Sequence, residues 1–185
     1  MRKILVSFFL LLCFVGYTNS QTPDYCRFIV NKTDEFTGEK ILVTTPAALN
    51  KPATEKHRFT VAFANVIDRD NLLPPSKFVT IKLTSVNESL FIARGEPLLI
   101  KLNNNEIVEL IAMDDYRTET KPTKPGVTLT QVVANYQASN DVLVKIQRVG
   151  IASIRMNTSH SQFDMNMKTQ DNKKLAQLLT CVVDV

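Results

Sequence analysis

The chain has 185 residues and a mass of 20.8 kDa, with 44% hydrophobic and 22% charged residues. This apolar fraction is too high for a disordered chain, and only 5 Gly and 8 Pro argue against collagen-like or low-complexity organisation. The formal net charge is +4, but basic and acidic residues alternate and form no basic block. This pattern argues against a protein that binds nucleic acid or an anionic membrane.

The N-terminus has the layout of a signal peptide. Arg2 and Lys3 precede the uncharged apolar run 4–15, which is shorter than the roughly 20 residues that a membrane-spanning helix needs. We expect residues 1–20 to be a signal peptide that is removed, which leaves residues 21–185 as one mature domain. The sequence therefore predicts a secreted or periplasmic, extracytoplasmic protein with no membrane insertion after signal removal.

Alternation of apolar and polar residues dominates the first part of the mature chain, which is typical of β-strands. Phe59, Val61 and Phe63 fall on one face of the stretch 58–68, and small residues fall on the other, which indicates a central strand. The run of three asparagines at 103–105 tolerates the left-handed backbone of a tight turn and indicates a hairpin. Further strands are predicted over residues 26–30, 40–44, 77–86, 90–93, 98–102 and 106–112.

The stretch 113–126 is polar throughout and contains Pro122 and Pro125. We expect it to be a surface loop without secondary structure, serving either as a binding loop or as a tolerated spacer.

The C-terminal third combines three predicted strands with two predicted helices. Ser139 is placed to cap a helix that ends before Gly150, and a second helix is expected from residues 169–171 onward. Strands are predicted over residues 127–136, 151–156 and 163–168. Because strands come first and helices last, the fold class is predicted as α+β, a mainly antiparallel β-sheet or β-sandwich with two helices in the C-terminal third.

Two cysteines, Cys26 and Cys181, remain after removal of the signal peptide. In an oxidising compartment they could form a disulfide, which would close a loop of about 155 residues and stabilise the fold by roughly 5 kcal/mol at most. The alternative is that both are buried apolar side chains. Their spacing resembles neither a zinc site nor a CxxC redox pair.

Catalytic and cofactor motifs are missing from the sequence, which has no G-x-S-x-G elbow, no HExxH motif and no phosphate-binding glycine loop. Both histidines are interpreted as exposed residues, one at a strand entrance and one in a turn, and the acid pairs as loop residues. We therefore predict no catalytic, cofactor-binding or metal-binding residues and no cofactor. The side chains with suitable chemistry for such roles are His57, His160, Asp34, Glu35, Asp114 and Asp115.

Four C-terminal side chains form an apolar stripe that is interpreted mainly as core. The alternative is the lining of a pocket for an apolar ligand. These side chains are Met156, Phe163, Met165 and Met167.

Two further features of the sequence are its sequons and one predicted ion pair. Asn31, Asn87 and Asn157 begin N-x-S/T sequons, about as many as chance predicts, so they indicate nothing about glycosylation. Arg155 would lie opposite Asp164 in the last predicted hairpin and form a cross-strand ion pair.

The C-terminal third carries a resemblance. It contains Tyr136, then Ser139-Asn140-Asp141 opening a short helix, and then the segment Gly150-Ile151-Ala152-Ser153-Ile154-Arg155-Met156. This part resembles small exported proteins of unknown function from Bacteroidetes-type bacteria. The resemblance implies a bacterial envelope setting and carries no catalytic motif.

These observations favour a secreted, non-catalytic binding or structural domain that acts on a protein or small-molecule partner outside the cytoplasm. One alternative is a carrier that holds a small apolar ligand inside a β-sandwich or barrel. A less favoured alternative is a metal-independent hydrolase that uses scattered carboxylates.

Overall fold

The computed structural model describes residues 26–49, 57–70 and 72–183, so the expected signal peptide lies outside the described residues. Within these ranges the chain forms a mainly antiparallel β structure with two helices, which confirms the predicted α+β class. The strands are β1 (Phe28–Thr33), β2 (Lys40–Thr44), β3 (Ala47–Ala48), β4 (Arg58–Ile67), β5 (Ser76–Val86), β6 (Phe91–Ile92), β7 (Pro97–Leu102), β8 (Ile107–Ile111), β9 (Tyr116–Arg117), β10 (Glu119–Lys124), β11 (Val127–Ala138), β12 (Ile151–Asn157) and β13 (Gln162–Asn166), and the helices are α1 (Asn140–Val149) and α2 (Thr169–Val183).

The strands form two larger sheets and one small one. The first sheet has the order β1-β2-β4-β5-β11-β10, with β3 also paired to β4, and the second has the order β13-β12-β7-β8. Strands β6 and β9 make a separate pair. A single bridge between Ala112 and Tyr136 joins the end of β8 to β11, so the two larger sheets meet at this point.

Alternation along the strands builds the core, as the sequence predicts. Burial alternates along β5 and most of β11, and in β4 the alternating side chains Phe59, Val61 and Phe63 are buried together with Ala62. The strand register places the buried side chains in cross-strand rows such as Phe59–Leu83–Val132. Leu143 of α1 and Leu179 of α2 belong to the same core. The register of β12 and β13 also places Arg155 opposite Asp164, and the predicted ion pair forms with a 2.7 Å distance from Nε to Oδ1.

The prediction of an unstructured loop at 113–126 is wrong. The structure places β9 and β10 in this stretch, and β10 pairs with the first half of β11. Pro122 is compatible with a strand here because β10 is an edge strand and its register shifts between Pro122 and Lys124. The polar composition and the two prolines do not distinguish this edge strand from a loop, because such residues are common in both.

A disulfide joins Cys26, which precedes β1, to Cys181 in the last turns of α2. Of the two alternatives that the sequence leaves open, the structure contains the bridge. Cys181 is also buried in the core, so the bridge fastens the start of the described chain to the terminal helix.

Helix α1 has the two caps that the sequence predicts. The Ser139 hydroxyl accepts a hydrogen bond from the Val142 N–H, and the Gly150 N–H donates to the Ile146 carbonyl at 2.9 Å. Gly150 has a φ of +77°, and a Cβ atom added there would lie 2.6 Å from Nδ2 of Asn103. The position therefore demands glycine both for its backbone conformation and for lack of space.

We expect the substitution Gly150→Ala to lower the free energy of unfolding by about 2 to 3 kcal/mol, because a strained φ and a steric clash act together. Gly126→Ala is the matched control, since Gly126 has a φ of +76° with no heavy atom within 4 Å of the added Cβ. The control should lose only about 1 kcal/mol. Equal losses in urea denaturation would show that the contact with Asn103 has no effect.

Candidate functional site

Three exposed apolar side chains lie at one end of the first sheet. Antiparallel pairing of β2 with β4 brings the β1–β2 turn and the β4–β5 connection to the same end of the sheet. Phe36 in the turn is 97% exposed, and Leu72 and Leu73 in the connection are 80% and 67% exposed. They are the three most exposed large hydrophobic side chains of the described residues. We call Phe36, Leu72 and Leu73 the apolar tip.

The turn that carries Phe36 is held by a network of hydrogen bonds. One carboxylate oxygen of Asp34 accepts the backbone N–H groups of Phe36 and Thr37, both at 2.9 Å. The Asp34 carbonyl accepts the Gly38 N–H, and the Asp34 N–H donates to the Glu39 carbonyl. The two hydrogen bonds to the carboxylate hold the pKa of Asp34 below its ordinary value, and the bond from the Thr37 amide has the larger effect, followed by the bond from the Phe36 amide. Phe36 is therefore presented on a fixed turn.

The two connections pack directly on each other. Gly38 has a φ of +77°, and a Cβ atom added there would lie 2.5 Å from Cδ of Arg69. The aliphatic part of Arg69 therefore occupies the space that glycine leaves open beside the turn. This contact couples the position of the β1–β2 turn to that of the β4–β5 connection.

The surroundings of the apolar tip are acidic. Residues 32–40 and 68–70 contain five acidic side chains and three basic ones, which gives a formal net charge of −2. The whole chain has a net charge of +4, so this end of the sheet differs in sign from the average of the molecule. The acidic residues are Asp34, Glu35, Glu39, Asp68 and Asp70, and the basic residues are Lys32, Lys40 and Arg69.

A second group of polar side chains gathers around His57, which directly precedes β4. The Ser85 hydroxyl donates to Oε2 of Glu88 at 2.7 Å and lies 3.0 Å from Nδ1 of His57. The His57 ring contacts the Phe163 ring edge-on, with 4.7 Å between centroids. The histidine predicted to be a solvated strand-entrance residue is thus only part-exposed and has specific partners.

The chemistry of the His57 group is that of an oriented imidazole. Because the Ser85 hydroxyl donates its proton to Glu88, the contact with His57 requires Nδ1 to donate to the Ser85 oxygen. Ser85 is 1% exposed, so its oxygen is not placed to attack a substrate. The arrangement lacks the serine-to-histidine proton transfer that defines a nucleophilic triad.

The predicted apolar pocket residues all lie in or against the core. Met156, Phe163 and Met165 are buried members of the core cluster, and Met167 packs against it. Three grooves described in the structure, of about 680, 180 and 270 Å³, are lined by other residues. The ligand pocket stays a prediction.

The other acids and the second histidine are dispersed. Asp114 pairs with Arg94 at 3.1 Å, and Asp115 accepts the Arg94 N–H, so these acids order the surface near β9. His160 is exposed in the β12–β13 turn. Among the described residues, no three His, Cys, Asp or Glu side chains come together in a way that could hold a metal ion.

The apolar tip is not predicted from the hydrophobic pattern of the sequence. Its available signals are an aromatic residue inside the polar turn Asp34-Glu35-Phe36-Thr37-Gly38 and a Leu-Leu pair directly before two prolines. The group around His57 has no such signal, because Ser85 is 28 residues away along the chain.

In the part of the chain that the structure describes, no helix has the length and apolar character required to cross a membrane. In comparisons with known proteins, no family model matches the chain, and no curated protein or solved structure shows significant similarity to it.

Proposed function

We propose that this protein is a secreted, non-catalytic binding domain whose partner docks on the apolar tip. The observation that carries the proposal is the near-complete exposure of Phe36 on a turn fixed by Asp34. Exposed apolar patches mark interaction sites, and aromatic side chains are enriched among the residues that dominate binding energy. A fixed turn also reduces the conformational entropy lost on binding.

Two further features agree with an extracytoplasmic setting. The N-terminal sequence has the layout of a signal peptide, and the bridge between Cys26 and Cys181 suits an oxidising compartment. The two alternatives have less support. The side chains expected to line a carrier pocket are packed in the core, and Ser85 beside His57 is buried.

The test replaces the apolar tip without touching the core. We expect the triple variant Phe36→Ser, Leu72→Ser, Leu73→Ser to bind the extracytoplasmic partner with an affinity lower by a factor of about ten or more. The reason is that central apolar side chains of an interface each contribute about 1 kcal/mol or more to binding. Binding to an extract of the source cells is measured by photo-crosslinking from a probe at position 35. The thermal midpoint should change little, because the three side chains are exposed.

The matched control is the double variant Ile107→Ser, Ile111→Ser, which removes exposed apolar side chains from β8, on a different sheet. It should bind like the wild type. Equal cross-linking by both variants would contradict a docking role for the tip.

The turn that presents Phe36 should respond to acid. The pKa of Asp34 is lowered in the folded chain, so its stabilisation is complete above the ordinary value of 3.8 and is lost as the pH falls through the folded pKa. We expect the protection factors of the Phe36 and Thr37 amides, measured by NMR as the intrinsic exchange rate divided by the observed rate, to fall over this acid range. Asp34→Asn should keep the turn without this loss of protection, whereas Asp34→Ala should have low protection at every pH. Protection factors that are independent of pH in the wild type would contradict this role of Asp34.

A further inference from the structure

We infer that the apolar tip is recognised by a protein whose apolar pocket is bordered by lysine and arginine side chains. The inference rests on the proposed function and adds the chemical class of the partner. It follows from the charges that surround Phe36, Leu72 and Leu73.

The acidic residues sit on the same two connections as the tip. Glu35 directly precedes Phe36, and Asp70 lies two residues before Leu72. Both carboxylates belong to exposed residues. When Phe36 enters a pocket of the partner, these carboxylates therefore lie at the edge of the contact. Basic side chains of the partner are favoured at this edge.

The three side chains of the tip are too small to form a stable interface without the charged residues around them. A stable protein interface buries about 800 Å² on each partner, which is more than three side chains provide. The contact must therefore extend over the neighbouring residues, and five of the eight charged side chains in residues 32–40 and 68–70 are acidic. Complementary charge at the edge of an interface accelerates association and excludes partners of the wrong sign.

The same charges disfavour a lipid surface. Anionic membranes attract basic segments and repel acidic ones, and a carboxylate beside an inserted side chain would lose hydration in the headgroup region. Segments that anchor in the interface combine apolar side chains with basic residues, whereas the chain has no tryptophan and Phe36, Leu72 and Leu73 lie among acidic residues.

The experiment reverses single charges around an otherwise intact tip. Glu35→Lys and Asp70→Lys are compared with Glu109→Lys, which makes the same charge change at an exposed position of β8. Here the photo-crosslinking probe is a phenylalanine derivative at position 36, which keeps an aromatic ring there, and all variants are exposed to an extracytoplasmic extract of the source cells at several salt concentrations. In parallel, flotation measures binding to vesicles of phosphatidylcholine, alone or with phosphatidylglycerol.

We expect each reversal at the tip to lower the yield of a protein adduct by about threefold at low salt and to weaken the salt dependence. Glu109→Lys should behave like the starting protein, and neither vesicle should bind. If the yield of the protein adduct is unaffected by the reversals and by salt, the inference that the partner's pocket is bordered by basic residues is wrong. If the vesicles bind and this binding requires Leu72 and Leu73, the inference that the partner is a protein is wrong, but docking through the tip is still supported. If neither a protein adduct nor vesicle binding depends on the tip, the proposed function itself fails.

Discussion

Replacing Cys26 and Cys181 together by alanine should lower the free energy of unfolding by up to about 5 kcal/mol. The bridge connects residues 155 apart in sequence, and the entropy it removes from the unfolded chain grows with the length of the closed loop. A domain of this size would lose about 10 to 15 °C in its thermal midpoint for such a change. Because natural domains are stable by only 5 to 15 kcal/mol, the loss is a large share of the total.

The measurement is urea denaturation followed by circular dichroism, since the chain contains no tryptophan. Reduction of the wild type with dithiothreitol is the control, because it opens the bridge and keeps both sulfur atoms. Reduced wild type and the alanine variant should agree within about 1 to 2 kcal/mol, the difference reflecting the buried Cys181 side chain. An unchanged midpoint after complete reduction would show that the bridge contributes no stability.

The sequence predicts the fold well where the hydrophobic pattern is strong. The alternation around Phe59, Val61 and Phe63 places β4 correctly, and Ser139 and Gly150 delimit α1, because these signals are local. The edge strand β10 is missed for the opposite reason. It has little apolar alternation of its own and is ordered by pairing with β11, which the local sequence does not reveal.

The candidate site is less predictable than the fold. The apolar tip depends on the pairing of β2 with β4, which brings the turn of Phe36 and the connection of Leu72 to one end of the sheet. The contact between Gly38 and Arg69 depends on the same pairing. Such long-range neighbours follow from sheet order, and sheet order is determined by the packing of the whole core.

A second large effect is expected at Lys77, the first inward-facing residue of β5. Its ammonium group is buried and donates hydrogen bonds to the carbonyls of Val182 at 2.5 Å and Val183 at 3.2 Å, and to Oδ1 of Asn140 at 2.8 Å. A positive charge at the carboxyl end of α2 also interacts favourably with the helix dipole. Lys77 therefore ties the first sheet to the end of one helix and the start of the other.

We expect Lys77→Met to lower the free energy of unfolding by about 3 kcal/mol, because it keeps the apolar stem but removes the donor from buried carbonyls. Lys82→Met is the matched control, since Lys82 lies on the opposite, half-buried face of the same strand. The control should change stability by less than about 0.5 kcal/mol. Hydrogen exchange adds a local readout, because amides in the last turn of α2 should lose protection in Lys77→Met before the central amides of β5 do. Equal effects of the two substitutions would mean that the helix end is held by the core alone.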